Sequence, residues 1–134
     1  VTIQAQIMAL LGQIKAEHDM ATLLITHDLG VVAENADRVA IMYAGLIMET
    51  APVKELYADP RHPYTKGLLA CIPRVGERQR RLVPIEGSVP RTGATDEGCP
   101  FLDRCPESFA PCQGKLPPLK EVQPGHWVRC WQVQ

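Results

Sequence analysis

Hydrophobic and polar positions repeat at helical spacing at the start of the chain. Ile3, Ile7, Leu10, Leu11 and Ile14 fall on one stripe, and the polar stretch Lys15–Asp19 closes the pattern. Thr2 has a side chain suited to an N-cap, so a helix is expected to open there. Ala21-Thr22-Leu23-Leu24-Ile25-Thr26 follows, a short apolar run between polar neighbours. That pattern predicts a strand buried on both faces of a parallel sheet. It stops at His27-Asp28, and Asp28 is placed to cap a short helix through Leu29, Val32 and Ala33. Arg38–Tyr43 and Leu46–Thr50 read as strands turned into a hairpin by Ala44-Gly45. Pro52 suits the first position of a helix running to about Ala58. Helix, strand, helix, strand, strand, helix predicts an α/β fold, here the tail of a larger domain, because the strands are too few for a parallel sheet with its own crossovers.

After Asp59 the periodicities fade and proline becomes frequent. Lys66–Cys71 is expected to form a short helix. Gly76–Leu82 is a mixed-charge stretch that reads as a solvated linker, and Arg91–Gly98 has no apolar anchor and reads as a flexible loop. The expected division is therefore residues 1–58 as the α/β segment and 59–134 as a small, irregular Pro- and Cys-rich extension.

Composition narrows the possibilities without selecting among them. The 134 residues are 46% hydrophobic and 22% charged, with a net charge of −1, so no strong field draws the chain to nucleic acid or to an anionic membrane. Apolar runs stay far below the roughly 18–20 residues that span a bilayer. Val1 leads almost at once into a helical pattern without a charged-then-apolar leader, which reads as a piece of a longer, non-secreted chain.

His27 is the first candidate for chemistry. A histidine at the end of a buried strand lies at the carboxyl edge of a sheet, where ligands of open α/β folds bind. Its imidazole can donate to a phosphate oxygen or orient a water. Alone, the position also suits a histidine that only satisfies its own loop. The surrounding blocks carry more information. Val1-Thr2-Ile3-Gln4-Ala5-Gln6-Ile7, Leu24-Ile25-Thr26-His27-Asp28-Leu29-Gly30-Val31-Val32-Ala33, Ala36-Asp37-Arg38-Val39 and Met42-Tyr43-Ala44-Gly45 closely resemble ABC-transporter ATPases. Pro60-Arg61-His62-Pro63-Tyr64-Thr65 and Leu68-Leu69 resemble the C-terminal extension of the group serving oligopeptide, dipeptide and nickel importers. The resemblance implies that His27 is the switch histidine contacting the γ-phosphate of ATP. It also implies ATP and magnesium as cofactors of the full-length protein, and a second ATP-binding subunit and transmembrane permease subunits as partners. A solute-binding protein would act indirectly, and the location would be peripheral, on the cytoplasmic face of the cell membrane.

Much of that machinery is missing from these residues. No G-x-x-x-x-G-K-[ST] loop occurs to cradle phosphates, and neither the family's signature motif nor its acidic, magnesium-binding strand end is present. The chain alone is therefore expected not to hydrolyse ATP. It is also expected to self-associate, because Ala21–Thr26 would expose unpaired strand edges.

Four of the five cysteines lie in the extension, spaced Cys99-x5-Cys105-x6-Cys112-x17-Cys130. Disulfides, a zinc site of wider spacing than the usual x2–x4 knuckle, and an iron–sulfur cluster are all compatible with four thiols. Gly98-Cys99-Pro100-Phe101-x-x-Arg104-Cys105, then Cys112 and His126-x3-Cys130, resembles the cysteine motif of the same importer group. Some members are understood to carry a [4Fe–4S] cluster on those positions, so the resemblance implies Cys99, Cys105, Cys112 and Cys130 as ligands, with zinc as the alternative. Its use would be structural, tying a segment with little apolar core into one shape. His126 reads as a packing or surface residue, Cys71 as an inert buried thiol, and Trp127 and Trp131 as shields for the last cysteine. Two functions of different class stand: part of an importer ATPase subunit that couples ATP hydrolysis to uptake of peptides or similar solutes, or a non-enzymatic metal-binding regulatory or dimerisation module. A free-standing cysteine-rich binding protein is a third, which the blocks around His27 disfavour.

Overall fold

The computed structural model describes residues 3–72, 84–89 and 98–133. Residues 1–37 and 38–134 form two compact units. In the first, α1 (Ile3–His18) runs longer than its apolar stripe, through the polar stretch expected to end it. Its stop is a backbone motif: Asp19 takes φ 49° and the Met20 N–H donates back to the Lys15 carbonyl at 3.2 Å. Thr2, the expected cap, lies outside the described residues. The second helix, α2 (Leu29–Asn35), starts as the sequence predicts, with the Asp28 carboxylate accepting from the Gly30 and Val31 N–H groups.

Ala21–Thr26 forms no strand. Residues 20–26 have no regular secondary structure, and Leu23 and Ile25 are each 88% exposed. An isolated extended segment gains nothing from β conformation without a neighbour's N–H and C=O groups, and no described segment pairs with this one. The apolar run is real, but the expected burial on both faces is absent.

The second unit is built on a four-stranded antiparallel sheet of order β1-β2-β4-β3. The hairpin of β1 (Arg38–Tyr43) and β2 (Leu46–Pro52) forms where predicted. Ala44 and Gly45 take φ 48° and 81°, the two left-handed positions of a type I′ turn, whose twist matches that of the strands. Pro52 then stands at the N-cap of α3 (Val53–Ala58), one residue earlier than expected. The next helix, α4 (Pro63–Ala70), begins before the predicted Lys66. His62 caps it, with Nδ1 accepting from the Tyr64 N–H at 3.0 Å, and Pro63 supplies the first turn.

The last strands, β3 (Lys120–Gln123) and β4 (His126–Val128), were invisible to periodicity. They pair with each other, and β4 pairs with β2 through Glu49–Val128 and Thr50–Trp127. The hairpin and the last residues of the chain thus share one sheet, and helices with an antiparallel sheet make the fold α/β. Leu56, Ala51, Met48 and Val128 are fully buried. Beside them Tyr43, Tyr64 and Phe101 meet edge-on or tilted, with ring centroids 4.8–5.3 Å apart. Arg104 holds the 84–89 stretch against this aromatic group, donating to the Glu86 and Ile85 carbonyls at 2.8 and 2.9 Å and to the Tyr43 hydroxyl at 3.3 Å.

Candidate functional site

Three stretches bring the cysteines together. The first begins at Gly98, whose φ of 117° and surroundings both demand glycine, since a Cβ there would stand 2.7 Å from the Cys112 carbonyl oxygen. That closeness lets the Cys99 N–H donate to the same carbonyl at 2.8 Å, tying the first stretch to the second. From Cys99 a tight turn at Leu102–Arg104 carries the chain to Cys105, with Leu102, Arg104 and Cys105 N–H groups each bonding back three residues. Cys112 lies in the short helix α5 (Pro111–Gly114) and is buried. Cys130, also buried, lies two residues beyond the end of β4.

None of the five cysteines is in a disulfide. The four of the motif lie within one another's fields: Cys99 feels Cys112, Cys130 and Cys105, Cys105 feels Cys130 and Cys112, and Cys130 feels Cys112. Burial is the main cause that pushes the Cys99 thiol up to about 11, and it raises Cys105 and Cys130 too. Against that, the backbone N–H groups of Phe101, Glu107 and Gln132 favour the thiolates of Cys99, Cys105 and Cys130, in each case from two residues ahead. Burial thus opposes the charged form of Cys99, Cys105 and Cys130 while these N–H groups favour it. By residue type alone, four cysteine sulfurs are donors that a soft metal takes. Among the described residues no three His, Cys, Asp or Glu side chains converge as tightly as a single metal ion requires.

The surroundings are polar on one side. Lys66 of α4 lies 3.6 Å from Glu107, and the Gln132 side-chain amide donates to the Glu107 carbonyl. The Trp131 indole donates to the Lys115 carbonyl at 3.0 Å, and Trp127 is 38% exposed on the sheet. Cys71 is the C-cap of α4, half-buried, its N–H donating to the Leu68 carbonyl.

Sequence reasoning missed the residues that join this region to the sheet. Glu49 of β2 is fully buried, and its carboxylate accepts three bonds: Arg61 N–H at 2.7 Å, His62 N–H at 3.0 Å and His126 Nε2 at 2.7 Å. His126 is thus a packing histidine. Arg129 donates from Nε to the Ile47 carbonyl and from Nη1 to the Pro117 carbonyl, both at 2.9 Å. A carboxylate inside an apolar strand run (Leu46-Ile47-Met48-Glu49) was the one available signal. His27 stands elsewhere, in the first unit. It is exposed, between Thr26, whose hydroxyl accepts from the Asp28 N–H at 3.0 Å, and the capping Asp28.

Residues 48–112 match the family model of the oligopeptide/dipeptide transporter C-terminal region. Across 98% of its length the chain is 49% identical to a probable peptide ABC transporter ATP-binding protein of Sinorhizobium fredii, covering 40% of that protein. Likewise it is 46% identical to the dipeptide transport ATP-binding protein DppD of Bacillus subtilis and 42% identical to the oligopeptide transport ATP-binding protein OppD of Salmonella typhimurium, in each case across 98% of this chain and 39% of the relative. The chain spans about two-fifths of the length of these relatives. No helix among the described residues is long and apolar enough to cross a membrane. The chain is thus similar over 98% of its length to ATP-binding proteins of peptide, dipeptide and oligopeptide transport, and its residues 48–112 carry the match to the transporter C-terminal region.

Proposed function

We propose that this chain is the phosphate-sensing and cysteine-bearing end of a subunit that couples ATP hydrolysis to uptake of peptides or similar small solutes. In the complete protein ATP and magnesium are the cofactors, and a second ATP-binding subunit and membrane permease subunits are the partners, on the inner face of the membrane. Residues 1–58 then close the nucleotide-binding domain and 59–134 form its extension. His27 supplies a hydrogen bond to the terminal phosphate, a task of positioning and charge stabilisation that phosphoryl transfer needs more than covalent chemistry. Its exposed place ahead of a capped helix leaves the imidazole open to a ligand. With His27→Ala in the complete transporter, kcat for ATP hydrolysis should fall by about 100-fold or more. An unchanged kcat would remove His27 from the mechanism.

In the extension, Cys99, Cys105, Cys112 and Cys130 hold a [4Fe–4S] cluster. What supports this is that Cys99 and Cys105 pack against the same aromatic group, the Cys99 N–H is bonded to the Cys112 carbonyl at 2.8 Å, and Cys112 and Cys130 are both buried. A zinc ion would need four sulfurs about 2.3 Å from one point. A cluster spreads its ligands over several irons, which suits the looser gathering here. When bound, the group supplies a covalent cross-link among the three stretches. Anaerobic purification followed by iron, sulfide and zinc analysis tests this: iron and sulfide in equal amount are expected, and stoichiometric zinc alone would replace the cluster by a structural zinc site.

A further inference from the structure

Residues 84–89 belong to neither the sheet nor a helix, and side chains alone attach them to the second unit. Among the described residues, none of them makes a main-chain to main-chain hydrogen bond. Ile85 is half-buried and the others are exposed. The Nε–Nη2 edge of Arg104 donates to two successive carbonyls, Glu86 at 2.8 Å and Ile85 at 2.9 Å. That edge is the fork a guanidinium offers to a pair of oxygens. Ile85 packs against Tyr43, Met48 and Phe101 and sits over Gly67 of α4, where a Cβ would stand 2.8 Å from its Cδ1. Gly87, at φ 83°, brings the chain against the Arg104 stem, so that a Cβ there would lie 3.2 Å from the Arg104 Cγ. Arg104 has its own support besides. It donates to the Tyr43 hydroxyl at 3.3 Å, and its guanidinium carbon lies 5.8 Å from the centre of the Tyr43 ring.

We infer that residues 84–89 are a releasable strap, latched by the Arg104 fork and the Gly67 notch, which opens and uncovers the Tyr43–Phe101 face while the sheet stays folded. Strands joined by one ladder open together, whereas a segment with no ladder bond and one half-buried side chain opens at a lower cost. The inference does not depend on what the cysteines bind.

A glutamate-specific protease tests it, because the carbonyl attacked in cleaving after Glu86 is the one that Arg104 holds. Cleavage there needs the strap open, and its rate follows the open population. Glu49, fully buried in β2, reports opening of the sheet in the same digest. Initial rates read by mass spectrometry on the 134-residue chain should be about 10-fold or more higher after Glu86 than after Glu49. Arg104→Gln removes the fork and should raise the Glu86 rate by about 10-fold, with the Glu49 rate unchanged. Gly67→Leu should act alike by filling the notch, and it leaves α4 intact because leucine favours helix. Equal wild-type rates that climb together with urea would make the stretch part of the cooperative core and overturn the inference. An unchanged Glu86 rate in either variant overturns it as well. Should Arg104→Gln unfold the sheet and raise both rates, Gly67→Leu decides: a rise confined to Glu86 sustains the strap, and any other result removes it.

Discussion

His62 is the residue whose protonation the fold constrains most clearly. Its Nδ1 accepts the Tyr64 N–H, so the ring is neutral with its proton on Nε2. Burial lowers its pKa from 6.5 to about 4, helped by Lys66 and opposed by the Glu49 carboxylate. The unfolded chain therefore takes up a proton near pH 6.5, while the folded chain does not until about pH 4. The stability due to this residue is complete above pH 6.5 and lost as the pH falls through that window, by roughly 3 kcal/mol in all. Urea midpoints measured from pH 7.5 downward should show the loss. His62→Asn keeps a capping oxygen but does not titrate, so its profile should be flatter, and identical profiles would exclude His62 as the cause. Gly98 is the second demanding residue. Gly98→Ala places a methyl 2.7 Å from the Cys112 carbonyl in a left-handed backbone, which should cost about 2 kcal/mol or more. The loss should appear as a lower denaturation midpoint.

Among the elements, the hairpin shows how local chemistry makes a structure legible. Ala44-Gly45 between two apolar strands announced a tight turn, and both residues take the left-handed backbone such a turn needs. Gly45 has φ 81° and open space around it, so Gly45→Ala should cost only backbone strain, about 1–2 kcal/mol, visible as a lower denaturation midpoint. The cap of α2 was legible for the same reason, since Asp28 bonds to N–H groups two and three residues away. Strands β3 and β4 were not. Lys120-Glu121-Val122-Gln123 has one apolar residue and β4 is three residues long, so neither strand offers an alternation to read. Ala21–Thr26 erred in the opposite direction: its composition was that of a strand, but composition cannot supply a ladder partner. The site divides likewise. The four cysteines stood out by identity and spacing, whereas Glu49 acquires its role only from donors contributed by residues 61, 62 and 126.

For the molecule as a whole, the two units differ in what they do with apolar surface. In residues 38–134 the large side chains meet one another in the sheet and the aromatic cluster, and the buried polar groups at Glu49 and His126 are paired. In residues 1–37 much of the apolar surface faces outward: Ile3 is 76% exposed, Leu10 55%, and Leu23 and Ile25 88%. Solvent-facing apolar groups along a segment with unpaired N–H and C=O groups are an association surface. The 134-residue chain studied by itself should therefore be a dimer or larger by light scattering at micromolar concentration. Leu23→Ser with Ile25→Ser should shift it toward monomer, since each substitution removes a large apolar group from that surface. A single monomeric mass at every concentration, before any substitution, would show that the outward apolar groups do not drive association.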